Sequence, residues 1–285
     1  MARAGGICRR AGLAAWLACL CAALMTPIPA GAAARAYEPV EPWQISKADH
    51  RCQLSRRFTL NGRELRLILS RGPSLIYFDL ALEGSALAGI DPATLSAPVR
   101  GDGTPLQGKT RRSGETGAGD PAVQWRFVDA ARLDPRLAQD RLTLLAPRRG
   151  SITIALDRLD KGMAAWNSCH DGLLAGWGLD VDAIHALYAL PAPHDGNGGW
   201  VSPDDYAGLE FAVGTRLETI VRLDSDASGT AQDCAILEGS GDADFDRLTC
   251  AALMQRASFA PAIGSDGRPT ASPWVTSASF SRSVN

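Results

Sequence analysis

The side chains whose types and spacing could do chemistry are the cysteines, the histidines and one run of clustered acids. Cys8, Cys19 and Cys21 lie in the N-terminal leader, and four cysteines, Cys52, Cys169, Cys234 and Cys250, lie beyond it. An even number of thiols in an oxidising compartment reads as two disulfides. No two of these cysteines have C-x-x-C spacing, and no histidine lies three to five residues from another, so a zinc site is not expected. His170 directly follows Cys169, the residue types of a nucleophile and its base. Adjacent helical residues do not face each other, however, and a disulfide leaves no thiolate to attack. His50, His185 and His194 stand apart from other reactive groups and read as surface or structural residues.

Asp224-Ser225-Asp226-Ala227-Ser228-Gly229 imitates the opening of a calcium loop, with oxygens at positions one, three and five and glycine at six. The bidentate acid required at position twelve is Ala235, so a hairpin turn is the better reading. Gly239-Ser240-Gly241 is too short for a nucleophile elbow and suits a break before a helix. Gly101-Asp102-Gly103 precedes no helical pattern, which argues against a phosphate loop. These observations predict no catalytic residue, no metal and no cofactor.

The N-terminus reads as an export signal over residues 1–32. Arg3, Arg9 and Arg10 form a basic start, Ala11–Pro29 carries no charge, and Ala30-Gly31-Ala32 offers the small-x-small cleavage pattern. A second candidate cut follows Ala36. Pro27 and Pro29 break the apolar run where an uncleaved anchor would continue, so no transmembrane anchor is expected after cleavage. The whole chain has 29 basic and 31 acidic residues; removing the three leader arginines leaves 26 against 31, a net of −5. That balance, with no basic run, argues against a nucleic-acid surface.

Elements must then place the remaining residues. After a polar entry (33–47), strands are predicted over Glu64–Leu69, Ser74–Leu82, Ala122–Phe127 and Ser151–Leu156. Gly101–Asp120, rich in Gly, Thr, Arg and Ser, reads as an exposed loop. Leu159, Met163, Trp166, Cys169 or His170, Leu173 and Trp177 recur at helical spacing, and Gly178 is a plausible stop. Cys52, expected just before the first strand, would then bridge to Cys169 on this last helix of a β-rich domain spanning 33–193. His194–Gly199 holds three glycines and reads as a linker. Cys234 and Cys250 would pair within a second domain, 200–285.

That second domain reads β-β-α-β. Leu217–Leu223 alternates, Asp224–Gly229 turns, Ala231–Glu238 returns, and Asp242 or Asp244 can cap a helix running to about Ala257. Asp266-Gly267 then turns the chain into a last strand, Trp274–Phe280. The fold class expected for the whole is α+β, with antiparallel sheets.

The segments VRLDSDASGTAQDC (221–234), GSGDADFDRLTC (239–250), RASFAPA (256–262) and DGRP (266–269), with the closing aromatic strand, resemble the TonB C-terminal domain family over about residues 200–280. Two cysteines, in the second strand and the helix, resemble its exported, disulfide-bearing branch. The chain departs from the pattern in Phe245-Asp246, where the family has Leu-Asp, and in Tyr206-Ala207, where it commonly has Tyr-Pro. It also lacks the Pro-rich spacer of an energy transducer, so it resembles a soluble relative. A weaker resemblance, resting on Cys52 and MAAWNSCHDGLLAGWG (163–178), links the first domain to exported alphaproteobacterial proteins of similar layout.

In that family a sheet edge near the C-terminus accepts an extended segment, often from an outer-membrane receptor. The resemblance implies the same use for Trp274, Thr276, Ser277, Ala278 and Phe280, with Thr276 and Ala278 supplying backbone donors. The side chain of Trp274 is expected either in the core or on a partner-facing surface. An envelope protein, an extended peptide or a second copy of the chain could add a strand there. The function expected is that of a periplasmic, non-enzymatic binding protein related to TonB-type transport. An enzyme, such as a hydrolase with its site in the first domain, is the competing class.

Overall fold

The computed structural model describes residues 35–48, 50–91, 94–96, 99–100, 108–116, 119–128, 141–146, 150–194 and 199–282. The expected leader (1–32) and residues 195–198 of the expected linker lie outside them. The architecture is α+β, with antiparallel sheets, a β-rich N-terminal part and a C-terminal strand–helix module.

The first half is built on one large sheet. β1 (Glu38–Pro39), β2 (Gln44–Ala48), β3 (Arg51–Leu60), β4 (Arg63–Arg71) and β5 (Tyr77–Glu83) come first, then β6 (Val99–Arg100), β7 (Gly108–Glu115) and β8 (Pro121–Val128). The sheet runs β1-β3-β4-β5-β8-β7, with β2 also paired to β3. β9 (Arg141–Ala146) and β10 (Gly150–Ala155) form a second sheet with β6. Leu54, Phe58, Leu67, Leu80 and Trp125 point into the core that α1 (Leu159–Gly176) covers with Leu159, Met163, Trp166 and Leu173. Trp177 follows as the helix C-cap and Gly178 takes φ +76°, as the periodicity and the stop signal require.

Three expectations are corrected here. Cys52 is the second residue of β3, not a residue ahead of the first strand. Part of the expected loop 101–120 is strand β7, because its backbone pairs with β8 although its residue types do not alternate apolar with polar. The expected polar entry contains β2, whose residues are all exposed and whose ladder to β3 is made by main-chain groups.

α2 (Val181–His185) follows α1, capped by Asp180, and β11 (Ala192–Pro193) leads toward the second half. There β12 (Arg216–Ser225), β13 (Ala231–Glu238), α3 (Ala243–Arg256), β14 (Phe259–Ala260), β15 (Ala262–Ile263), β16 (Pro269–Thr270) and β17 (Ser272–Ser281) succeed one another. β12 is central in a sheet of order β13-β12-β17. Asp242 caps α3 by accepting from the Phe245 amide at 2.9 Å. On α3 Phe245, Thr249 and Leu253 are buried, and Leu248 and Cys250 are half-buried.

Two disulfides are present, Cys52–Cys169 and Cys234–Cys250, with Cα–Cα separations of 6.0 and 5.7 Å. The first joins β3 to α1, where Trp166 also donates its indole N–H to the Cys52 carbonyl at 2.7 Å. The second core draws on both sides of residues 194–199: Leu75, Ile76, Tyr77 and Leu174 pack with Ile220, Val221, Leu223 and Trp274. Among the described residues no helix is long and apolar enough to cross a membrane. Two disulfides suit an oxidising, extracytoplasmic compartment.

Candidate functional site

The β12–β13 hairpin, on whose first strand β17 pairs, turns on Asp226. Its Oδ1 accepts from the Ser228 amide (2.8 Å), the Ser228 hydroxyl (2.6 Å) and the Thr230 amide (3.1 Å). Those bonds, the Ser228 hydroxyl foremost, hold the carboxyl below the usual aspartate range. The segment that imitated a calcium loop is thus an Asx-type turn whose acid is already spent on the backbone. Gly229 sits at φ +85°, and a Cβ there would stand 1.9 Å from the Phe259 carbonyl oxygen, so only glycine fits.

Both faces of the sheet are covered near the start of β17. On one side Phe259 stacks obliquely on Trp274, ring centroids 5.5 Å apart. Tyr77 from the first half meets the same indole edge-on at 6.5 Å. Trp274 is 0 % exposed and so is Val275. The indole of Trp274 is therefore core, and the partner-facing option for that side chain is withdrawn. Thr276, Ser277, Ala278 and Phe280 are half-buried.

The register decides which main-chain groups of β17 are free. Ser281 stands opposite Arg216 and Ser272 opposite Ser225, with no shift between. The Arg282 amide donates to the Thr215 carbonyl at 3.0 Å, which continues that register as a hydrogen-bonded pair. Bonded and non-bonded pairs alternate along an antiparallel ladder. The amides of Trp274, Thr276, Ala278 and Phe280 consequently point to β12, and those of Val275, Ser277, Ser279 and Ser281 point away. This corrects the expectation that Thr276 and Ala278 supply the free donors. Among the described residues no backbone hydrogen bond outside β12 engages the outward amides.

A groove of about 250 Å³ runs beside that edge. Thr276 through Phe280 line it consecutively, although their side chains alternate between faces, so it follows the strand edge and not one face. Its far wall is Gly199–Pro203 with Tyr206. Trp200 in that wall is anchored on Phe259 at 5.1 Å. Tyr206 stacks on Phe245 at 4.5 Å and shares a 2.7 Å hydrogen bond with Thr249 on α3. Asp205 is held by the Ser202 amide at 2.7 Å and by Arg256 of α3, which keeps its carboxyl below the usual range. The wall is thus pinned to α3, and among the described residues no backbone bond joins it to β17.

At the Thr276–Ser277 end the groove meets a charged cluster that sequence reasoning missed. Buried Asp79 on β5 accepts from Arg126 of β8 at 2.8 and 3.1 Å, and Arg51 of β3 approaches it at 3.9 Å. These residues line a small cleft together with Thr276 and Ser277. Two guanidiniums on one carboxylate leave a positive excess beside the edge. Their positions on three strands share no spacing that the sequence could reveal; only the pairing order brings them together.

The remaining candidates have structural places. Cys169 is consumed by its disulfide, and His170 is buried, its Nε2 3.1 Å from the Gly72 carbonyl. Burial, with Arg71 nearby, pulls the His170 pKa down to about 3. His50 pairs with Glu238 at 2.9 Å, and Glu238 also accepts from the Trp177 indole at 2.5 Å. Ser240 donates its amide to Asp246 and its hydroxyl to the Asp242 carbonyl, so Gly239-Ser240-Gly241 is a helix entry. Comparison with protein-family models, curated proteins and solved structures finds no match to this chain.

Proposed function

We propose that the chain is a periplasmic, non-enzymatic binding protein that captures an extended segment of an envelope partner by strand addition on β17. The observation that carries this reading is the open edge: outward amides at Ser277 and Ser279 facing a groove that follows the strand. A free edge with small side chains is a template for main-chain pairing. The groove suits a few residues of extended chain, whereas a helix is about 10–12 Å across. Buried Val275 makes Ser277 the first accessible donor. The positive excess from Arg51 and Arg126 favours an acidic residue where the incoming segment passes them. The resemblance of the module to the TonB C-terminal domain family supports the same use and relates the protein to TonB-type transport, here without motor coupling.

The test is a photocrosslinking residue at position 277, used in the living envelope beside the variant Ser277→Pro/Ser279→Pro. Proline at those positions removes only outward donors and leaves the β12 ladder whole. One discrete partner should crosslink from 277, and the double-proline protein should lose it while keeping its circular dichroism. A crosslink to a second copy alone would mean self-association. Full partner capture by the double-proline variant would refute strand addition.

A further inference from the structure

A second depression lies away from β17, between the end of β4, α1 and the segment after α2. Its volume is about 580 Å³, within the range of small-molecule sites. Leu75, Ile76, Leu174, Ile184, Leu187 and Leu190 give it an aliphatic wall. The far side is rigid, because the Tyr188 and Ala189 amides both donate to the Ile263 carbonyl, at 2.8 and 3.2 Å.

Arg71 closes the floor. It is 7 % exposed, and it donates Nη2 to the Leu75 carbonyl at 3.1 Å. Its Nε has no hydrogen-bond partner, and among the described residues no carboxylate forms an ion pair with it. The neighbouring acid, Asp171, is held instead by His185 at 3.2 Å on the rim. Desolvation lowers the Arg71 pKa only to about 10, so the guanidinium is charged at neutral pH. His170 beside it is neutral there and its Nδ1 is also unpartnered. Asp171 in the same lining offsets part of the cost of burying Arg71, but from beyond ion-pair distance, and a buried cation gains more from a directly bonded anion.

We propose that this pocket binds a small aliphatic carboxylate, with its headgroup on the Arg71 guanidinium and its chain against Leu75, Leu174, Ile184 and Leu187. The planar donor fork of arginine matches a carboxylate, and a single guanidinium balances a monoanion. The aliphatic side of the pocket takes the tail, while Asp171, His185 and Tyr188 line the rest of it. The site is independent of strand addition on β17.

The probe is octanoate, titrated calorimetrically into the full exported protein at pH 7 with 1-octanol as the uncharged analogue of equal chain. Octanoate should bind one to one and at least about tenfold more tightly, the scale of one charge-assisted hydrogen bond. Arg71→Met keeps the stem and removes the charge, and should erase that preference. Leu187→Glu, on a half-buried wall position, should weaken octanoate more than octanol. Equal affinity for the two probes, no octanoate binding, or an Arg71→Met protein that keeps the preference would overturn the assignment. Should Arg71→Met fail to fold, the wild-type comparison and Leu187→Glu decide it.

Discussion

Replacing Gly229 by alanine perturbs the hairpin at its tightest point. The new Cβ would stand 1.9 Å from the Phe259 carbonyl oxygen and 2.9 Å from its carbon, both backbone atoms that no rotamer change can move. Phe259 cannot simply retreat, since its amide donates to the Gly229 carbonyl at 3.0 Å and its ring is wedged between Trp200 and Trp274. Two costs add. A non-glycine residue held at φ +85° loses about 1–2 kcal/mol. Forced displacement of a packed core adds about 1–3 kcal/mol. Gly229→Ala should therefore destabilise by about 2–5 kcal/mol. Gly241→Ala supplies the control, because φ there is +91° and nothing lies within 4 Å of the added methyl. It should cost only the backbone portion, about 1–2 kcal/mol. Urea unfolding followed by tryptophan fluorescence, with the disulfides intact, measures both. If the two variants agree within about 0.5 kcal/mol, the close approach of Gly229 to Phe259 is not real and the steric argument fails.

The proline pairs should separate by register: Thr276→Pro/Ala278→Pro removes two donors to β12 and should lower the urea midpoint, whereas Ser277→Pro/Ser279→Pro should leave it nearly unchanged; equal loss in both would refute the register argument. His170 is neutral in the folded protein down to about pH 3, while in the unfolded chain it protonates near 6.5. Below about pH 6.5 the unfolded state thus binds the extra proton, and stability should fall with falling pH by up to about 1.4 kcal/mol per unit until about pH 3. His170→Gln should flatten that limb of the pH profile, and an unchanged slope would exclude the residue as its source. Cys234→Ala/Cys250→Ala opens a loop with a sequence separation of 16 and should cost about 3 kcal/mol by equilibrium unfolding. A loss under about 1 kcal/mol would show that α3 holds the hairpin without the bridge.

The features legible in the sequence were those set by local periodicity and caps. Leu159, Met163, Trp166 and Leu173 fall on one stripe of α1, and Asp242 caps α3 where its type and position predict. The cysteine pairing followed from which cysteines share a half of the chain. The strand β7 was hidden because Gly108–Glu115 borrows its conformation from β8, and pairing of that kind leaves no trace in side-chain alternation. At the site, the strand β17 was legible but its free donors were not. Their parity depends on which residue of β12 faces which of β17, a long-range fact with no local signal. The Arg71 pocket was hidden for the same reason: β4, α1 and the segment after α2 supply it separately.

The contact of Tyr77 with Trp274 bears on how this protein can change over generations. Tyr77 belongs to a strand of the first half and Trp274 to the last strand of the second, yet their rings meet inside one core with Leu75, Ile76 and Leu174. Removing either half would uncover aromatic and aliphatic surface on the other. Lineages that keep this arrangement should vary Tyr77 and Trp274 in concert, trading ring size on one side for ring size on the other.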